Sequence, residues 1–211
     1  IGGLGNDSMS GGAGNDTYYV DSPTDTVSEA VGGSGTADTV YSSISLTLAA
    51  NVEYLRLQDG FGNINGTGNA SDNFIAGNGG SNILHGGAGN DHLDGFNGND
   101  VLFGDAGADS FDFFMGEGID TVKDFVSGVD KIGIGTNASG TTFNGPGGSL
   151  MATQFVLGTM AVGAEDRIIF NNSTGDLYFD ADGNGAGAAV QFAHFEGSVS
   201  LSAADFFSTI F

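Results

Sequence analysis

Gly86-Gly87-Ala88-Gly89-Asn90-Asp91-His92-Leu93-Asp94 is followed in register by Gly95 to Phe103 and then by Gly104 to Asp112. Two more copies, Gly2 to Ser10 and Gly11 to Tyr19, stand near the start of the chain. The shared phrase is G-G-x-G-x-D-x-U-x, nine residues with U apolar. A short fixed period of this kind builds a solenoid, because one repeat cannot bury its apolar face alone. Glycines at positions 1, 2 and 4 let the backbone turn tightly and aim carbonyl oxygens inward, where a β-carbon would clash. Positions 7 to 9 form a short strand whose alternation sends U to one face. Met9, Tyr18, Leu93, Leu102 and Phe111 are therefore the expected core.

The aspartate at position 6 adds a carboxylate to that ring of carbonyls. Calcium takes six to eight oxygens at about 2.3 to 2.6 Å, more than one turn offers, so two turns must share each ion. Composition points the same way. The 211 residues hold 26 acidic side chains against four basic ones, Arg56, Lys123, Lys131 and Arg167, for a formal net charge of -22. Of the acids 21 are Asp, which suits turns and hard cations, whereas a solvated helical surface would favour Glu. Such a charge argues against nucleic acid or an anionic membrane as partner and for cations. Glycine reaches 39 residues with two prolines and 17 phenylalanines, a turn-dense chain with apolar residues to bury. Cysteine is absent, so no disulfide staples the fold. No segment approaches the roughly 18 apolar residues of a membrane span. The N-terminus lacks the basic and apolar regions of a cleavable signal peptide and enters directly at a repeat, which reads as a piece of a longer protein.

The repeats resemble the calcium-binding nonapeptides of the RTX, or haemolysin-type, family. The resemblance implies an all-β fold, a right-handed parallel β-roll with two repeats per coil, in which turns i and i+2 stack and clasp one calcium ion. On that pattern Asp7 shares an ion with Asp25, Asp16 with Asp38, Asp91 with Asp109 and Asp100 with Asp120, giving several ions in all. Carbonyls at positions 2 and 4 join them: Gly3, Gly5, Gly12, Gly14, Gly87, Gly89, Phe96, Gly98, Asp105 and Gly107. Asp25, Asp38 and Asp120 keep only the D-x-U spacing, and for these an ordinary surface turn stands beside the ligand reading. A metal-free solenoid with plain turns is the rival for the whole set, and five good matches in two phased runs weigh against it.

Upstream, Gly68 to Ala76 and Gly77 to His85 keep the phase with Asn73 and Asn82 at position 6 and Ile75 and Leu84 at U. An amide is neutral, so hydrogen bonds to backbone are expected there in place of an ion. Between the repeat runs, Glu29 to Gly33 reads as a loop, and Thr39 to Leu48 and Val52 to Leu57 read as strands that continue the coil. The organisation is thus a first repeat block at 1–28, a strand-rich insert at 29–65, a second block at 66–112 and a β-rich cap at 113–211.

In the cap, Asp120 to Ile134 resembles the segment after the roll in serralysin-type proteases, which implies that Asp124 and Asp130 complete the last calcium site. Residues 135–150 are rich in Gly, Thr, Ser and Asn and read as a surface loop. Arg167 to Phe170 and Leu177 to Asp180 flank a hairpin turn, and Ala189 to Ala193 adds a third strand. Asp180-Ala181-Asp182-Gly183-Asn184-Gly185 matches the first half of an EF-hand loop, making Asp180, Asp182 and Asn184 candidate ligands. Gln191 stands where the bidentate Glu belongs, and a β-hairpin turn is the competing reading. Leu201 to Phe211, an acidic residue followed by an apolar tail, resembles the uncleaved C-terminal signal of type I secretion; a short helix packed on the last strands is its rival.

That resemblance implies a secreted or cell-surface bacterial protein, with calcium and the type I secretion machinery as partners. No catalysis is expected from the chain itself. His85 and His92 sit at outward positions, and H-E-x-x-H, G-x-S-x-G and a cysteine nucleophile are all missing. Any protease, lipase or polysaccharide-modifying domain it serves lies outside this sequence. The alternative is a structural adhesin, surface-layer or matrix protein whose rolls pack on themselves or on neighbouring RTX rolls through calcium.

Overall fold

The computed structural model of the chain describes residues 2–3, 5–29, 37–135 and 149–209. Most of the expected loops at Glu29 to Gly33 and 135–150 lie outside the described residues, as do Ile210 and Phe211. The strands are β1 (Ser8–Ser10), β2 (Thr17–Val20), β3 (Thr26–Ser28), β4 (Thr39–Ser42), β5 (Leu46–Thr47), β6 (Tyr54–Leu57), β7 (Gly66–Thr67), β8 (Phe74–Ala76), β9 (Ile83–Ala88) and β10 (His92–Asp94). They continue with β11 (Val101–Ala106), β12 (Ser110–Phe114), β13 (Asp120–Val122), β14 (Lys131–Gly135), β15 (Phe155–Leu157), β16 (Ile168–Asn171), β17 (Asp176–Phe179), β18 (Val190–Phe195) and β19 (Phe206–Thr209).

From β4 to β14 the chain alternates between two sheets, one strand to each in turn, and this is a solenoid. The eight-stranded sheet runs β19-β14-β12-β10-β8-β6-β4-β2, and the nine-stranded one runs β15-β16-β17-β18-β13-β11-β9-β7-β5. β1 and β3 form a separate parallel pair. The fold is all-β, a parallel β-roll of about six turns. No described helix is long and apolar enough to cross a membrane.

The period sets the core. Tyr18, Val40, Leu55, Ile75, Leu93, Phe111, Ile132 and Phe206 are register partners in succession across all eight strands of the first sheet. Leu84, Leu102, Val122 and Phe195 do the same on the second. All of these are buried, as is Met9. Each fully buried Leu or Phe contributes about 1.5 to 3 kcal/mol. A one-residue slip would turn the whole column outward, so the pairing is strongly specified. The insert enters the sheet through β4 and β6, in register between β2 and β8, which joins the two repeat blocks in one roll.

After β14 the direction changes. β18 lies parallel to β13, and β17 and β16 follow antiparallel, extending the second sheet into a cap. The wider space there is filled by rings: Phe170 and Phe125 both meet Phe195 edge to face, and Phe113 meets Phe192. The terminal segment forms a short 3-10 turn, Ala203–Asp205, and then strand β19 beside β14. The short terminal helix weighed above is replaced by a strand because Phe206 extends the column of Ile132 and needs strand geometry to reach it.

Candidate metal centre

In both repeat blocks the backbone at position 6 of one coil is tied to the side chain at position 6 of the next. In the turns that lead into the eight-stranded sheet, the Asp16 N–H donates to Oδ1 of Asp38 at 2.7 Å and the Asp38 N–H to Oε2 of Glu53 at 3.1 Å. The Asn73 N–H donates to Asp91 at 2.7 Å, Asp91 to Asp109 at 2.8 Å and Asp109 to Asp130 at 3.0 Å. In the other set of turns Asp7 donates to Asp25 at 3.0 Å, Asn82 to Asp100 at 2.6 Å and Asp100 to Asp120 at 2.9 Å. The fold therefore brings together each of the four expected carboxylate pairs.

One oxygen of each of these carboxylates other than Asp16 accepts a backbone N–H, and the fate of the other separates the sites. Oδ2 of Asp16, Asp91 and Asp100 is closed off from solvent and accepts no hydrogen bond. A buried acceptor without a partner costs about 1 to 3 kcal/mol, more when charged. Oδ2 of Asp91 occupies the place a β-carbon on Gly86 would take, at 2.5 Å from it, with the Gly104 carbonyl at 2.6 Å. Only glycine leaves that space to oxygen atoms. The position-2 residues Phe96 and Asp105 hold left-handed backbone, φ +58° and +63°, as Gly87 and Gly12 do at +107° and +93°, so the turn geometry persists where the glycine is lost.

Electrostatics repeat the pattern. Burial pushes the Asp91 carboxyl up to about 6, opposed by the Asn73 N–H and reinforced by Asp109. Burial likewise pushes Asp109 up to about 6, with Asp130, Asp124 and Asp105 adding to it. Asp100 and Asp120 face each other and are both raised, by burial first. Closed without a cation, these turns hold carboxyls that resist ionisation.

Other sites are arranged differently. Asp25 is below the usual carboxylate range, held there by N–H donors from Asp7, Asp21 and Ser22, which engage both of its oxygens. Asp7 accepts from the Gly3 N–H at 2.8 Å. Asp124 takes the Gly104 and Asp105 N–H groups at 2.9 and 2.8 Å, and Asp130 takes Val126 at 2.7 Å, so both gather on the Gly104–Asp109 turn. Asn73 and Asn82 donate to the carbonyls of Val52 and Ile64 at 2.9 and 2.5 Å. Asp180, Asp182 and Asn184 lie in the connection between β17 and β18, an antiparallel pair. There Asp180 accepts from the Asp182 N–H at 3.2 Å and Asp182 from Gly187 at 3.0 Å. Each histidine bonds an aspartate: His85 with Asp105 at 3.0 Å, His92 with Asp112 at 2.6 Å and His194 with Asp176 at 2.9 Å.

Several participants escaped the sequence reading. Glu53 replaces Asp in the ladder, and Glu53-Tyr54-Leu55 shows it as E-x-U in the same phase. A second ladder runs through position 5, where Asn90 accepts from Ala108 and Asn99 from Ile119, both at 3.0 Å. The recurring Asn before Asp signals it. Asp94 and Asp112, at outward position 9, are nonetheless 0% and 1% exposed. The Thr209 hydroxyl of β19 donates to Asp112 at 3.1 Å, a long-range contact no local pattern reveals.

The RTX calcium-binding nonapeptide repeat model matches the chain in four copies, over residues 1–27, 67–93 and 76–111. These are RTX calcium-binding repeats. No curated protein matches the chain. The matched RTX turns are those that carry the unpartnered oxygens of Asp16, Asp91 and Asp100. Their donor set is all oxygen, carboxylates with backbone carbonyls, and fits a hard cation such as calcium. The chain thus contains a calcium-binding β-roll module.

Proposed function

We propose that this RTX roll closes on calcium after export by type I secretion and so supports an extracellular protein. The observation that carries the reading is the row of buried carboxylate oxygens left without a partner in turns whose other hydrogen bonds are made. In a calcium-poor compartment the clustered aspartates repel one another and the turns gain little by closing. Where calcium is abundant, binding to the folded state alone adds about 2.7 kcal/mol per site at a hundredfold excess over Kd. Asp16 with Asp38, Asp91 with Asp109 and Asp100 with Asp120 would hold the ions.

In this reading Leu201 to Phe211 is the export address; Asp205 and Phe206 are each 2% exposed in the folded roll, so it would be read before the roll closes. The module performs no reaction of its own in this reading; chemistry belongs to whatever domain it accompanies. A calcium titration of chelator-treated protein, followed by far-UV circular dichroism with magnesium as control, tests it. A cooperative gain of β signal specific to calcium is expected. A chain fully folded in chelator and unchanged by calcium would overturn the proposal.

A further inference from the structure

We propose that Glu29, which lies outside every nonapeptide, completes the site between Asp16 and Asp38 as a third carboxylate ligand for calcium, positioned by the Tyr18 hydroxyl. This rests on the calcium reading above and names a ligand that the repeat pattern does not contain. One oxygen each from Asp16, Glu29 and Asp38 lie within 4.8 Å of one another, a spacing that one cation bridges. Asp38 is 4% exposed, and Oδ2 of Asp16 is sealed from solvent without a hydrogen-bond partner. That oxygen and the Tyr18 hydroxyl converge over Gly11, in the place a β-carbon would fill.

Tyr18 stands at U, where the other glycine-rich repeats carry Met, Leu or Phe. Its ring is buried in the core like theirs, while its hydroxyl reaches the turn and donates to Oε1 of Glu29. The four basic residues are engaged elsewhere: Arg56 lies over the Phe74 ring, Lys123 pairs with Glu196, Lys131 donates to the Ala204 carbonyl and Arg167 to that of Ala164. A cation would balance the charge that the three carboxylates bring together. Ligand charge count tunes calcium affinity, so Glu29 makes this site tighter than the Asp16–Asp38 pair alone.

Terbium(III) luminescence on the whole chain tests this. The lanthanide occupies calcium sites and emits when a neighbouring tyrosine is excited, and the chain holds five tyrosines and no tryptophan. Tyrosine-sensitised emission that calcium displaces is expected, with most of it lost in Tyr18→Phe. Glu29→Gln should raise the terbium concentration that half-saturates that signal by about tenfold or more, and Glu29→Asp, which keeps the charge, by less. Leu157→Ala, at a side chain 56% exposed in the cap and outside every calcium turn, should leave the signal in place. A Glu29→Gln protein that is folded in saturating calcium and gives the wild-type terbium titration curve overturns the inference, as does full emission from Tyr18→Phe. A wild-type chain that binds neither ion overturns the calcium reading itself.

Discussion

Stripped of calcium, the roll should be more stable in mild acid than above neutrality, the reverse of ordinary acid denaturation. In the closed turns Asp91 and Asp109 rise from 3.8 to about 6, chiefly through burial, and Asp100 and Asp120 rise with them. A folded-state pKa above the unfolded value means that the native chain binds more protons. The stability this brings is full below about pH 3.8 and is lost as pH climbs through about 6. Between pH 8 and pH 5 one such group returns about 1.4 kcal/mol, so Asp91 and Asp109 together return about 3 kcal/mol. For a chain of this length that corresponds to about 6 to 12 °C in Tm. The assay is far-UV circular dichroism of the chelated protein at pH 5 and pH 8, read as the folded fraction and as Tm where a transition is present, repeated in saturating calcium. Because bound calcium requires ionised carboxylates, its presence should reverse the slope. A chelated protein that melts at the same temperature at both pH values, or higher at pH 8, would refute the reasoning.

Asp91→Asn should raise the Tm of the chelated protein at pH 8, since a buried charge is removed, and reduce the stabilisation by calcium by about 2.7 kcal/mol at a hundredfold excess over Kd, read by melting with and without the ion. Gly107→Ala places a methyl group on the Gly89 carbonyl of the neighbouring coil, backbone against backbone, and should cost about 1 to 3 kcal/mol or more in saturating calcium by denaturant unfolding. Leu93→Ala, at a fully buried column position, should cost about 2 to 5 kcal/mol in the same assay, whereas Ile83→Ala, at a side chain 42% exposed, should stay within about 0.5 kcal/mol.

The column from Tyr18 to Phe111 could be read from the repeats and the β-branched strands between them, because inward residues recur at fixed phase. The carboxylate pairs followed from the same phase once two coils were known to stack. What stayed hidden depends on contacts that period does not encode. Glu53 and Glu29 reach the turns with a longer side chain than the pattern asks for, and Glu29 depends on a tyrosine whose hydroxyl is invisible to an apolar-position count. Asp25 kept the right spacing, yet the relaxed turn at Asp21 and Ser22 draws its second oxygen into hydrogen bonds. Asp112 is covered in part by Thr209, which comes back over it from 97 positions away.

That returning strand bears on the order of assembly. Coils of the roll meet neighbours about one repeat pair away in sequence, as in the 18-residue step from Asp91 to Asp109. β19, by contrast, pairs with β14 and reaches back to Asp112 from Thr209 across 97 positions, and Asp205 reaches Gly128 across 77. Such distant contacts carry loop-closure entropy before any stabilisation is returned. Coils can stack early and reversibly, but the sheet keeps a bare edge beside β14 until β19 docks. The segment that carries β19 therefore acts as a latch, and losing it would leave a roll that winds without locking.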